Sequence, residues 1–127
     1  MKNFWSYKKE YQSLRKNILK SIDRTLKSEN LFFGNELKKF EKEFNRLNKS
    51  KFGLAVGSGT EALYIALKTF DIGFGDEVIT VSNSAIPTVS AINSTGAKAS
   101  FVDINENYLM NPEKIIKKIN KKTKAII

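Results

Sequence analysis

Residues 54–67 read Leu54-Ala-Val-Gly-Ser-Gly-Thr-Glu-Ala-Leu-Tyr-Ile-Ala-Leu67. An apolar run, Leu54 to Val56, enters a glycine-bracketed turn, Gly57-Ser58-Gly59-Thr60, which opens a segment with Ala62, Leu63, Ala66 and Leu67 at helical spacing. This order predicts a strand, a tight turn and a helix N-terminus. The first N–H groups of a helix have no partner within it, and the positive end of the dipole faces outward, so the turn favours an anion such as phosphate. Gly59 lets a ligand approach the backbone closely, and Thr60 can cap the helix or offer its hydroxyl to the phosphate. The competing reading is that Ser58 or Thr60 merely caps a helix of an α/β protein, because the turn lacks the longer fingerprints of a P-loop or dinucleotide site.

Downstream, strands and helices alternate. A turn at Gly73-Phe74-Gly75-Asp76 precedes a strand over Glu77–Val81, and Ser84–Asn93 is apolar enough for a helix with Pro87 in its first turn. Gly96 ends that helix, and Ala99–Val102 forms the next strand, closed by Asp103. Asn111-Pro112-Glu113 starts a further helix with a capping side chain, a proline at the first position and an early acid. Ile115, Ile116 and Ile119 are its expected buried stripe. Thr123–Ile127 reads as a fourth strand, counting Phe52–Val56 as the first. This alternation implies a mostly parallel sheet covered on both faces. A parallel strand entered from a helix needs neighbours, so ending at Ile127 suggests a truncated chain, unless this strand is an edge.

Upstream, residues 5–28 carry Tyr11, Leu14, Ile18, Ile22 and Leu26 on one stripe and predict an amphipathic helix that docks as an arm on something larger. Asn30–Asn35 breaks the pattern, and Leu37, Phe40, Phe44 and Leu47 mark a second helix. The expected organisation is therefore a helical arm over 1–30 and a truncated α/β domain over 31–127.

The chain has 127 residues, enough for a core, with no cysteine and no histidine. Disulfides, thiolate or imidazole metal sites, and Ser-His or Cys-His catalysis are excluded, and no metal site is expected. No apolar run is long enough to cross a bilayer and no leader is evident, so the expectation is a soluble cytoplasmic protein without a membrane partner. Lys and Arg outnumber Asp and Glu by 22 to 13, a net charge of +9. The lysines are interleaved with acids, and the one local cluster, Lys114 to Lys124, lacks arginine forks and aromatic platforms. Nucleic acid is therefore not an expected partner.

Gly34-Asn35-Glu36 through Phe40-Glu41-Lys42-Glu43-Phe44, followed by Ala55-Val56-Gly57-Ser58-Gly59-Thr60-Glu61-Ala62-Leu63, resembles the DegT-like nucleotide-sugar aminotransferases. The likeness continues through Ile72–Ile79, Thr88–Ile92, Thr95-Gly96-Ala97, Phe101–Ile104 and Thr123–Ile127, essentially the whole chain. The resemblance implies the N-terminal part of the large domain of a fold-type I pyridoxal-phosphate enzyme. By position, Ser58, Gly59 and Thr60 match that family's cofactor-phosphate turn, and Ser82–Thr88 matches the stretch lining the pyridine ring. Many relatives have an aromatic residue where this chain has Ala85; Asn83 or Ile86 is the alternative neighbour of the ring.

The family's Schiff-base lysine and the acid that pairs with the pyridinium nitrogen lie beyond the part matching Thr123–Ile127, so no catalytic residue is assigned and only a partial cofactor site is expected. For the complete enzyme the resemblance implies amino transfer, from glutamate, to a keto-deoxysugar on a nucleotide in amino-sugar or polysaccharide synthesis, with a homo-oligomer or a full-length relative as partner. Two rivals stand beside it: a noncatalytic remnant docking on a full-length relative, and a small phosphate-binding α/β module.

Overall fold

The computed structural model describes residues 5–127, and the chain forms two units, one ending at Ala55 and one running Val56–Ile127. The first four residues of the expected 1–30 arm lie outside the described residues. In the first unit, α1 (Lys8–Lys27) carries Glu10 in its first turn and Arg24 and Lys27 in its last, the charges that complement the helix dipole. Left-handed backbone at Glu29 and Phe33 then turns the chain. α2 (Asn35–Asn48) follows, ending on left-handed Lys49. An Arg24–Glu36 ion pair at 3.0 Å joins the two helices, but both partners are exposed and such pairs contribute at most about 1 kcal/mol. Both apolar stripes remain on the surface: Tyr11, Leu14, Ile18, Ile22, Leu26, Phe40, Phe44 and Leu47 are all exposed.

The strand expected over Phe52–Val56 does not form. A strand needs a ladder partner, and among the described residues none pairs with this segment. The Ala55 N–H instead donates to Glu41 Oε1 at 2.9 Å, and Phe52 and Leu54 stand exposed.

The second unit holds α3 (Gly59–Thr69), β1 (Glu77–Val81), α4 (Ile86–Ser94), β2 (Lys98–Val102), α5 (Pro112–Lys118) and β3 (Thr123–Ile126). The strands form a parallel sheet in the order β2-β1-β3, so β1 is paired on both edges. The expected fourth strand is thus the third, and its outer edge is unpaired among the described residues. Register places Val78 beside Ala99 and Ala125. These residues share one face, and on it Val78 packs with Leu67 of α3, Ile72, Ile92 of α4 and Ala97. The connections β1-α4-β2 and β2-α5-β3 step in opposite directions, and right-handed crossovers of that kind leave from opposite faces of a sheet. α4 therefore covers the Val78 face, and α5 lies on the face of Ile79 and Val102.

Local signals in this unit are realised. Pro87 occupies the first turn of α4, Gly96 sits at φ +89° where a side chain would be strained, and Asn111 Oδ1 accepts from Glu113 N at 2.9 Å and Lys114 N at 3.4 Å. The buried stripe expected on α5 is not. Only Ile115 is half-buried, whereas Ile116 and Ile119 are exposed. The helix has seven residues, too few to lay three isoleucines on a sheet, and Ile119 is already past its end with extended backbone.

Candidate cofactor-phosphate site

Backbone accounting at the start of α3 isolates two donors. Ser58, the N-cap, has extended backbone, and its Oγ accepts from Glu61 N at 3.1 Å. The Ser58 carbonyl accepts from Ala62 N at 3.0 Å. Glu61 returns its Oε2 to the Gly57 N–H at 2.8 Å, which closes a reciprocal cap one residue wider than the usual capping box. The N–H groups of Gly59 and Thr60 are left without an acceptor among the described residues, as is the Thr60 hydroxyl. Ser58 is therefore the cap, and Thr60 is not needed as one.

The two glycines of the turn differ. A Cβ on Gly57 would meet Glu61 Oε2 at 2.9 Å, the far end of a flexible side chain, so a residue there would displace the Glu61 cap. On Gly59 a Cβ would meet nothing within 4 Å, and no positive φ demands glycine. Among the described residues nothing closes off the space beside Gly59, so the turn is open there to something placed against it.

The site lies at the carboxyl ends of the strands. α3 leads through a turn into the start of β1, so its C-terminus is level with the amino end of that strand. An eleven-residue helix and a five-residue strand are each about 16 Å long. The N-terminus of α3 therefore lies level with the end of β1, where α4 also begins. α3 and α4 pack side by side. Ala85 is the N-cap residue of α4, exposed, with its carbonyl accepting from Thr88 N at 3.1 Å, and the Ser84 and Thr88 hydroxyls are 2.9 Å apart. Asn83 and Ile86 are exposed alongside it. Ser58, Gly59 and Thr60 thus form one continuous turn, while Ala85 stands on the neighbouring helix with no hydrogen bond to them. Ligands of open parallel α/β sheets bind at this edge.

The sequence pattern of the DegT/DnrJ/EryC1/StrS aminotransferase family matches residues 12–127. The chain belongs to this family. It is 39% identical over 97% of its length to a dTDP-3-amino-3,4,6-trideoxy-alpha-D-glucose transaminase of Micromonospora megalomicea, covering 33% of that protein. Streptomyces venezuelae DesV, solved in complex with a ketimine intermediate, superposes on 98% of this chain with a TM-score of 0.90 at 34% identity, and 34% of that chain is covered. Bacillus subtilis NtdA with bound cofactor PMP matches 90% of this chain with a TM-score of 0.86 at 31% identity, over 26% of its own length. The chain thus spans about a quarter to a third of the length of these relatives, and its fold is that of the corresponding part of fold-type I aminotransferases. Among the described residues no helix is long and apolar enough to cross a membrane.

Glu61 has a place in the turn that the sequence reading did not assign. Its signal was present as Ser58-x-x-Glu61, the spacing of a capping box. The hydroxyl of Thr80, fully buried in β1 and without a partner among the described residues, had no sequence signal, because its environment depends on the packing of α3 and α4 over the sheet.

Proposed function

We propose that the Ser58–Thr60 turn holds the phosphate of pyridoxal phosphate and that this chain is the N-terminal cofactor-binding part of a nucleotide-sugar aminotransferase. The observation that carries this reading is the pair of N–H groups at Gly59 and Thr60 that have no acceptor among the described residues, with open space at Gly59 where a Cβ would meet nothing within 4 Å. With the Thr60 hydroxyl they form a cradle of donors, which suits a phosphate monoester at a helix N-terminus. Ser58 serves twice, since an oxygen that accepts from Glu61 N still has its proton to donate. Glu61 has its carboxylate turned onto Gly57, which fixes the turn. Ala85, or its neighbours Asn83 and Ile86, lies beside the pyridine ring at the start of α4. The cofactor, when bound, supplies an electron sink for amino transfer between an amino donor, glutamate, and a nucleotide-linked keto sugar. Residues equivalent to the remainder of the relatives supply the lysine, so turnover is not expected from these 127 residues. The complete enzyme acts in the cytoplasm as a homo-oligomer.

Amide chemical shifts of the chain, followed during titration with pyridoxamine phosphate and separately with pyridoxamine, test the site. Shifts at Gly59 and Thr60 with the phosphorylated compound alone are expected. Gly59→Ala should weaken them at least tenfold without loss of fold stability, because the added methyl enters space open to a ligand and empty of the chain's own atoms. Equal responses to both compounds, or unchanged binding by Gly59→Ala, would overturn the assignment.

A further inference from the structure

Between the carboxyl end of β2 and α5 lies an open cavity of about 280 Å³, whose walls include Ser82, Phe101, Asp103, Lys114, Lys117 and Lys118. The lysines stand three and four residues apart, so they share one face of α5, where like charges repel one another. Only Lys114 is answered, by Asp103 Oδ2 at 2.7 Å from its Nζ. Lys117 and Lys118 have no ion pair among the described residues, so the walls carry an excess of positive charge. The helix dipole favours cations in the last turn, which accounts for their presence in α5 but not for their converging with Lys114 on a cavity. A concave wall of one sign concentrates ions of the other.

The opposite wall is aromatic. In the sequence the lysine run from Lys114 to Lys124 contains no ring, but the fold brings Phe101 of β2 beside it, with 45% of the residue exposed. An exposed phenyl ring next to free ammonium groups offers a stacking surface for a base whose phosphates meet the lysines. The Ser82 hydroxyl adds an uncharged donor. One ring beside one cavity suits a single nucleotide, because following a strand takes successive platforms along a groove.

We infer that this cavity binds a free nucleoside diphosphate, with its phosphates on Lys117 and Lys118 and its base against Phe101. The inference does not rest on the cofactor reading, since no residue of the Ser58–Thr60 turn lines the cavity.

The test follows lysine and aromatic side-chain NMR signals of the 127-residue chain during titration with ADP. Shifts at Lys117, Lys118 and Phe101 are expected. Adenosine and pyrophosphate, each carrying half of the recognised chemistry, should bind about tenfold more weakly, and ADP-glucose, whose terminal phosphate is esterified, should also bind more weakly. Replacing Lys117 and Lys118 together by Gln should weaken ADP about tenfold. Replacing Lys121 and Lys122 together by Gln removes the same charge outside the cavity and should change the affinity by less than about twofold. Phe101→Leu keeps an apolar strand residue but removes the ring, so it should weaken ADP about tenfold and leave pyrophosphate unchanged. Circular dichroism verifies the fold of each variant, and should Phe101→Leu unfold the chain, the two lysine pairs decide the question. Equal losses from both lysine pairs would reduce the binding to net charge and overturn the site. So would shifts confined to Gly59 and Thr60, binding of ADP-glucose as tight as that of ADP, or binding of oligodeoxythymidylate tighter than that of ADP.

Discussion

The two units carry hydrophobic patterns of unequal clarity and put them to different use. α1 and α2 have apolar residues at regular helical spacing, yet no described residue up to Ala55 is buried. From Val56 onward the periodicity is weaker, but Leu67, Ile72, Val78, Ile79, Ala91 and Ile92 are all buried. The difference lies in what each pattern meets. An amphipathic helix buries its stripe only when a second apolar layer is available, and the sheet supplies that layer to α3 and α4. Periodicity therefore reports helix formation, whereas burial reports the partner.

The sharpest way to break this comparison is to truncate one side chain in each unit. Ile79→Ala in the centre of β1 removes a fully buried side chain and should cost about 2–5 kcal/mol by urea unfolding. Leu47→Ala in α2, where the leucine is 79% exposed, should change stability by no more than about 0.5 kcal/mol. A loss of similar size at Leu47 would mean that the first unit's stripe is covered in solution, and the contrast would fail.

Helix caps extend the contrast to backbone chemistry. Ser58→Ala removes the acceptor for Glu61 N and should cost about 1 kcal/mol. α2 begins instead on Gly34, where an added Cβ would run into the Asn30 carbonyl oxygen. Gly34→Ser should therefore destabilise, although serine is the better capping residue by propensity. Thermal unfolding of both variants checks the pair, and stabilisation by Gly34→Ser would show that the turn before α2 relaxes freely.

What could be read from the chain followed the range of the interaction responsible. Pro87, Gly96 and Asn111 act within a turn of their own positions, and each does what its chemistry predicts. The Ser58–Thr60 turn is likewise local: glycine, hydroxyl and helix start are contiguous, so a candidate anion site could be located there before any fold was known. Phe52–Val56 was misread because strand formation depends on a distant neighbour, and β1 gives both of its edges to β2 and β3. Ile116 and Ile119 were misread for a related reason: α5 is too short to bring them onto the sheet. At the candidate site, the return of Glu61 to Gly57 depended on side-chain direction; the helix beginning near Ala85 was legible, but its place beside the start of α3 depended on how α3 and α4 pack. Neither is fixed by residue type alone.

Thr80 offers a subtler probe of the buried unit. Its hydroxyl is enclosed without a partner among the described residues, so its desolvation is uncompensated. Thr80→Val keeps the shape and removes the polar atom, and should raise stability by up to about 1 kcal/mol in urea unfolding. A loss instead would mean that the hydroxyl has a partner in solution, such as an internal water.

The smallest effect concerns the exposed pair at the end of β2. Lys114 Nζ lies 2.7 Å from Asp103 Oδ2, and its hydrogen bond, followed by its charge, holds the Asp103 carboxyl below its ordinary value of 3.8. A lowered pKa means that the folded state binds the proton less readily than the unfolded state. The pair's contribution is therefore complete above the ordinary carboxylate value and disappears as pH falls through the lowered one. Because the carboxylate is open to solvent, salt should screen the charge contribution and move the titration back toward 3.8. Carbon-detected NMR titration of Asp103 measures this directly. Lys114→Met should return Asp103 to its ordinary value while leaving the Ile79 and Ile92 methyl resonances in place, since the ion pair lies outside the core. A titration unchanged by Lys114→Met would place the cause elsewhere, whereas displaced core methyls would show that α5 is held to the sheet through this contact rather than through Ile115.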